Sequence, residues 1–522
     1  MNQRTFHLPL ILATAILLLL NACGTTTSGP DTDLPAQQQT ARADPTLQQH
    51  TNAQRDPSDR SLLEVAELSK GMVDYDPELA LEILQSLESV PSAQLKTMIE
   101  RQQYDAEFTE WLELALQIRL LVISNGPVTQ SAQYWNNYHY GHAVNRSNYP
   151  ELVASYSALF PAPAKVAVLL PAEGGLAAAA SAIRDGILSA YFDHPGGSEL
   201  LFYSSGEDST SALAAYEQAI EDGALQVVGP LRLDSTRSLA NMDGLTTPVL
   251  LLNDPQFSTT PATTHDTTPA AKVNSLLLSQ TKEAKAIADM ALAQGYKHVV
   301  MIIPDSSWGL RVSTTFSTAF EQGGGQVTAI SRFSAANTDL DAMLTRMLKI
   351  DESKQRKADL RQWLGIPLSF EAQRRDDFDF IFMAARPAQG RELKPLLRFH
   401  DAGDIPVYAM GRIYSGNLSP AQDLDLDGIV FATTRGQLQA VEDKPELPAS
   451  VRNGAFGNFY ALGQDAWRLL PWLPLMQKDP NLWFSGNVGP LRMQADGNLF
   501  GEPVWAQFSG GKPTPYQWPD SL

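Results

Sequence analysis

Apolar positions change their spacing from region to region along this chain, and each spacing predicts a different kind of element. Leu8 to Leu20 is an unbroken apolar run of 13 residues behind Arg4. A membrane-spanning helix needs about 20, so the run predicts a secretory signal peptide over residues 1–22. Gly24 to Arg60 carries four Pro, many Thr and Gln and almost no large apolar residue. It cannot bury enough surface to order itself and predicts a flexible polar tether over 23–60, with an r.m.s. reach of roughly 30–37 Å. From Ser61 to Phe160 the apolar residues fall at helical spacing. Leu62, Leu63, Val65, Ala66 and Leu68 form one set, and Leu79, Leu81, Ile83, Leu84 and Leu87 follow Asp76-Pro77. Leu95, Met98, Ile99 and Tyr104 follow Pro91-Ser92, and a helix over Phe108–Ile123 stops at Asn125-Gly126-Pro127. Another helix runs over Gln130–Tyr140. Paired helices of this length predict a small all-α, tetratricopeptide-like domain over 61–160, although no clean 34-residue repeat is present. Tyr134, Trp135, Tyr138 and Tyr140 read as core or an interdomain contact, with a sugar-stacking surface as the alternative.

At Lys165 the pattern switches to short apolar strands alternating with helices. A first series, residues 165–275, has strands at 165–170, 200–203, 226–228 and 248–252, with helices at 176–191 and 210–221. A second series, 280–410, has helices at 281–294, 307–322, 339–350 and 390–400. Its strands lie at 298–303, 326–331, 378–383 and 406–409. Such alternation predicts parallel sheets with right-handed crossovers. Two series joined by short links predict two α/β lobes with a cleft between them over 165–522. In the C-terminal part, 411–522, the stretch Val488–Phe508 reads as a small β-meander.

Composition narrows the function. Asp plus Glu outnumber Lys plus Arg by 58 to 39, a net charge of −19, so a general nucleic-acid binder is excluded by phosphate repulsion. One cysteine excludes an internal disulfide framework and a cysteine-built zinc site, and the eight His are scattered. That single cysteine ends the signal run in Leu20-Asn21-Ala22-Cys23-Gly24, which resembles a bacterial lipobox. The resemblance implies cleavage before Cys23, a thioether-linked diacylglycerol on it and an acylated amine, enough chains for firm anchoring. Gly24, where an Asp would signal inner-membrane retention, implies the inner leaflet of the outer membrane, facing the periplasm.

Several longer stretches carry a further resemblance. They are Ala224-Leu-Gln-Val-Val-Gly-Pro-Leu231, Leu252-Asn253, Arg374-Arg-Asp-Asp-Phe-Asp-Phe-Ile-Phe-Met-Ala384, Ala402-Gly-Asp-Ile-Pro-Val-Tyr-Ala409, Ile413-Tyr-Ser-Gly416 and Ala461-Leu-Gly-Gln-Asp-Ala-Trp467. Together they resemble the LppC/LpoA lipoprotein family over about Lys165–Pro513. The resemblance implies a type I periplasmic-binding-protein-like fold behind a tetratricopeptide-like helical part. It also implies activation of a class A penicillin-binding protein, a bifunctional peptidoglycan synthase, through the C-terminal domain, with peptidoglycan as a further partner. The helical part here, about 100 residues, is shorter than in the best-known members.

No catalytic constellation emerges beside this, and neither a cofactor nor a metal is expected. Gly174-Gly175 after the first strand lacks both G-x-G-x-x-G and a Walker lysine and reads as a tight turn. Asp305-Ser306-Ser307-Trp308-Gly309 reads as a helix cap. His298 and His400 read as solvated or capping residues, and Asp376 and Asp377 as partners of Arg374 and Arg375. If the interlobe cleft instead captures a small molecule, making the chain a tethered solute-binding protein, residues after strand ends should touch it. Those are Glu173, Gly174, Gly175, Leu176, Asn253, Trp308 and Arg386. The stretch 349–377 is locally the most basic, and Lys354, Arg356, Lys357, Arg361, Arg374 and Arg375 form a candidate partner patch. The alternative there is a salt-bridged, solvated helix face.

Overall fold

The computed structural model describes residues 60–72, 74–193, 197–242, 244–255, 273–334, 339–367, 369–439 and 456–518. The signal run, Cys23 and the tether therefore lie outside the described residues. Residues Met1–Arg55 and Asp56–Leu522 separate into two units, and only the second is described here.

Its first part is helical: α1 (Leu62–Ser69), α2 (Pro77–Ser86), α3 (Ser92–Glu100), α4 (Ala106–Ser124), α5 (Val128–Tyr138) and α6 (Tyr149–Ser157). Local chemistry sets the ends. Ser61 and Glu64 form a capping box on α1, and the Asp76 carboxylate accepts from two first-turn N–H groups of α2, with Pro77 at the first helical position. Asn125, in the left-handed conformation, ends α4. The helices close around one core that includes Val65, Leu84, Leu95, Trp111, Ile118, Trp135 and Tyr149.

The first lobe begins with β1 (Lys165–Leu170), α7 (Ala177–Asp193), β2 (Glu199–Ser204), α8 (Ser209–Glu221), β3 (Gln226–Val228), α9 (Leu233–Ala240), β4 (Val249–Leu251) and β5 (Val273–Leu277). The second lobe holds α10 (Gln280–Ala293), β6 (His298–Pro304), α11 (Ser307–Gln322), β7 (Gln326–Phe333), α12 (Leu340–Met347) and α13 (Ile350–Leu364). It continues with β8 (Phe380–Met383), α14 (Pro387–Phe399), β9 (Val407–Ala409), α15 (Pro420–Asp423) and β10 (Ile429–Thr433). After α16 (Arg435–Gln439) come α17 (Gly457–Leu469), α18 (Leu473–Lys478), β11 (Trp483–Ser485), β12 (Pro490–Met493), β13 (Asn498–Gly501), β14 (Val504–Ser509) and β15 (Lys512–Pro515).

Both sheets repeat one topology. The first runs β2-β1-β3-β4-β5 and the second β7-β6-β8-β9-β10, all parallel, which is the doubly wound order 2-1-3-4-5 used twice. The period of two along each strand feeds two cores. Val166, Val168 and Leu170 point to the α7 side, while Ala167 and Leu169 pack with Tyr216 and Leu239 on the other face. In the second lobe Val300 and Ile302 join Leu344 and Leu393, while Val299, Met301 and Ile303 join Phe316 and Phe320.

The expected C-terminal meander is the main correction. Its strands do not form one sheet. β13 pairs parallel with β5 and, with β12 and β11 antiparallel beyond it, completes the first sheet; β14 pairs antiparallel with β10 and, with β15, completes the second. Left alone, β5 and β10 would each present an unpaired edge, and the divided segment covers both. The chain consequently passes between the lobes three times among the described elements: after β5, between β10 and α17, and at Glu502-Pro503 between β13 and β14. A second correction concerns the single helix expected over 339–350. It is two helices, broken where Lys349 takes a left-handed conformation (φ 57°). The second of these, α13, is too polar to show an apolar period.

Candidate functional site

The residues expected at strand ends do lie in the loops at the carboxyl ends of the strands, but they do not gather into one site. In the first lobe Glu173 and Gly175 are exposed, and Leu176 leans on the lobe core. Gly174 has φ 79°, and a side chain there would run into the Glu207 carboxylate, which accounts for the Gly-Gly turn. Asn253 is held by its own surroundings: its Nδ2 donates to Leu231 O at 2.8 Å and its Oδ1 accepts from Asp254 N at 2.9 Å.

The second-lobe residues do come together. The Arg412 guanidinium lies 4.8 Å from the centroid of the Trp308 ring. Burial, then the charges of Arg386 and Arg311, lower the Arg412 pKa, while Glu283 opposes them. Glu283, on the first turn of α10, accepts a hydrogen bond from Gly411 N at 2.5 Å, and burial pushes its carboxyl up to about 7. Sequence reasoning named Trp308 and Arg386 but missed Glu283 and Arg412. Arg412 lies directly between two of the stretches that carried the family resemblance. Nearby, a depression of about 270 Å³ is lined by Pro304, Asp305, Ser306, Ser307, Leu310 and Arg332, all from the second lobe. Ser306 is a helix cap, its Oγ accepting from Gly309 N at 3.1 Å.

The candidate basic patch divides in two. Lys354, Arg356, Lys357 and Arg361 stand on α13, exposed apart from a half-buried Lys357. Arg374 and Arg375 are committed to the chain itself. Arg374 Nε donates to Asp401 O at 2.6 Å, and Arg375 grips Asp377 with two hydrogen bonds of 2.5 and 2.7 Å, which hold the Asp377 carboxyl below its usual range. Asp379 accepts from Lys297 N and His298 N at 2.7 and 2.8 Å, so the acidic part of that stretch anchors the start of β6. His400 caps α14 and bonds Asp341 at 2.7 Å. Of the four aromatics expected together, Trp135 is buried with its Nε1 donating to Val144 O, whereas Tyr134, Tyr138 and Tyr140 are exposed.

Two buried charges escaped sequence reasoning. Arg119 and Asp479, each 1 % exposed, meet at 3.3 Å across 360 residues of sequence. Arg119 also donates to Val90 O and Leu87 O, and Asp479 accepts from Ser92 N at 2.6 Å. With Phe160 against Trp472 (ring centroids 5.2 Å), they lock the helical part to the first lobe. The signal was a lone Arg inside the apolar stretch Leu112–Ile123. Asp465, also buried, accepts from Asn487 N and Val488 N at 2.8 and 2.7 Å, and burial raises its carboxyl to about 6. Among the described residues no cluster of His, Cys, Asp and Glu is arranged to hold a metal, and no helix is long and apolar enough to cross a membrane.

The architecture defines a class: a two-lobed, type I periplasmic-binding-protein-like α/β domain carrying a small helical domain at its amino end. The particular family follows from comparison. Residues 31–511 match the family described as "LppC putative lipoprotein", and the chain belongs to that family. A protein of Vibrio antiquarius named penicillin-binding protein activator LpoA is 25 % identical over 426 residues, 79 % of this chain and 68 % of that one. The equivalent protein of Photobacterium profundum is 25 % identical over 361 residues, 67 % of this chain and 56 % of that one. The chain thus spans little more than half to two thirds of these relatives. Among solved structures, a monoclinic form of Haemophilus influenzae LpoA superposes with a TM-score of 0.55 at 19 % identity, covering 84 % of this chain and 77 % of that one.

Proposed function

We propose that this chain is an outer-membrane lipoprotein, anchored through Cys23 and facing the periplasm, that binds and activates a class A penicillin-binding protein without being an enzyme itself. The observation that carries the reading is the family match along most of the chain, with relatives named as penicillin-binding protein activators. The site geometry supports it, since the ionisable residues named above are paired into helix caps, strand anchors and interdomain locks rather than aimed at a shared reacting atom. Activation then requires tighter binding to the active conformation of the synthase than to its inactive one. The test is glycan polymerisation and peptide cross-linking by a purified class A synthase from the same organism. Each reaction is run with and without the lipid-free protein, which is also assayed alone. Stimulation by a protein inert on its own supports the reading; absence of both stimulation and complex removes it.

A further inference from the structure

Helix α13 leaves the body of the second lobe. Ile350 and Ser353, in its first turn, are its buried residues. There Ser353 Oγ accepts from Gln373 N at 3.1 Å and Arg375 N donates to Leu348 O at 2.9 Å, so the returning chain is pinned to the helix base. Beyond Ser353 the helix is exposed, with Lys357 alone half-buried. At 1.5 Å per residue, the overhang to Leu364 is roughly 16 Å long. The side of the helix that Ser353 presents to the lobe continues in steps of three and four through Lys357, Leu360, Arg361 and Leu364, now with nothing over it.

What stands on this overhang is unusual for a free surface. Trp363 is 90 % exposed, Leu360, Leu364 and Ile366 are each more than half exposed, and Phe370 on the return segment is exposed too. Apolar side chains scattered singly on a surface need no explanation, but five within eleven residues form a patch. Lys357 sits 4.9 Å from the centroid of the Phe370 ring, tying helix and return segment into one face. Lys354, Lys357, Ala358 and Arg361 line a shallow depression of about 490 Å³ beside it. Arg356 pairs loosely with Glu352 at 3.9 Å; Lys354, Lys357 and Arg361 have no ion pair among the described residues.

We propose that the overhang of α13 and its return segment form the docking surface for a protein partner whose matching face is an apolar slot rimmed by carboxylates, with Trp363 as the anchor. The proposal rests on the activator reading, in which that partner is the synthase. Trp and Arg are the side chains that most often dominate binding energy when desolvated, and the overhang supplies both at the centre of one patch. Charge selects the occupant. The chain as a whole carries −19, so its body is repelled by an anionic lipid surface and by a second copy of itself. A carboxylate-rimmed slot needs complementarity only at the overhang, where cations prevail.

The test uses the lipid-free full chain and the purified synthase, with affinity by surface plasmon resonance and stimulation by glycan polymerisation. Trp363→Ala weakens binding at least tenfold. Joint reversal of Lys354, Lys357 and Arg361 to Glu slows association and removes most of its salt dependence. Both variants keep the wild-type thermal midpoint, since the altered side chains are outside the core. Variants that bind and stimulate like wild type overturn the docking surface while leaving the activator reading intact. A wild-type chain that binds no synthase overturns both. Co-sedimentation with phosphatidylglycerol vesicles, or a dimer in sedimentation velocity, that Trp363→Ala abolishes overturns the proposal in favour of a lipid surface or a second copy.

Discussion

Arg119 and Asp479 show how much one buried pair can decide. Neither charge is solvated, so each depends on the other and on the backbone groups of Leu87, Val90 and Ser92. Removing one partner strands the other, whereas replacing both with apolar residues strands neither. Asp479→Ala is therefore expected to destabilise the junction by about 3–5 kcal/mol, while Arg119→Met with Asp479→Leu costs much less. Chemical denaturation followed at tryptophan checks this, and an Asp479→Ala variant as stable as wild type would sink it. Glu283 gives a pH dependence. Its folded pKa, about 7, exceeds the ordinary carboxylate value because burial disfavours the charged form. The folded state thus holds the proton more tightly than the unfolded one, and stability falls as pH rises from about 4.5 through 7. Glu283→Gln keeps an oxygen for Gly411 N but cannot ionise. Its thermal midpoint should gain on wild type as pH is raised from 5 to 8; a constant difference would contradict the assignment.

At the scale of elements, the stretch Ala461–Trp467 shows what one quoted motif is for. α17 lies directly against α7: a Cβ on Gly463 would stand 2.0 Å from Ile183 O, and one on Gly186 would stand 2.1 Å from Tyr460 O. Backbone meets backbone, which only glycine permits on both sides. Two residues on, Asp465 holds the loop before β12 through Asn487 and Val488. Gly463→Ala must push the helices apart. It should cost about 1–3 kcal/mol or more, seen as a lowered thermal midpoint of the first lobe. Ala at an exposed glycine such as Gly175 serves as control, and equal effects at the two sites would refute the close-packing argument. The same scale explains the missed α13. Its length comes from a left-handed residue at each end, Lys349 and Gly365, and not from an apolar period.

For the whole molecule, the threading of the chain matters more than any site. Each lobe takes its last strands from the C-terminal segment, so neither sheet is complete until residues after 480 have been added to both. Near the crossings, contacts reach from lobe to lobe: Lys282 lies 5.2 Å from the Phe500 ring, and Arg435 Nη1 donates to Ser485 Oγ at 2.9 Å. Placement in the cell is a separate question that rests on Cys23. If that residue carries the lipid, Cys23→Ser abolishes labelling by palmitate and moves the mature chain from the membrane fraction to the soluble envelope fraction. Membrane association unchanged by the substitution would refute the anchor.

Period and punctuation alone determined a great deal of this protein. The order of strands and helices between Lys165 and Ala409, the helical character of 61–160 and the family stretches are all local properties. A strand buried on both faces must be continuously apolar, and a helix must begin at a cap wherever it lies. Partnership is not local. Whether Val488–Phe508 forms one sheet or serves two, whether Arg119 finds a carboxylate and whether the apolar residues of α13 are covered depend on groups hundreds of residues away. No spacing records them. They were decided only when the two sheets closed their edges and the helical part settled on the first lobe.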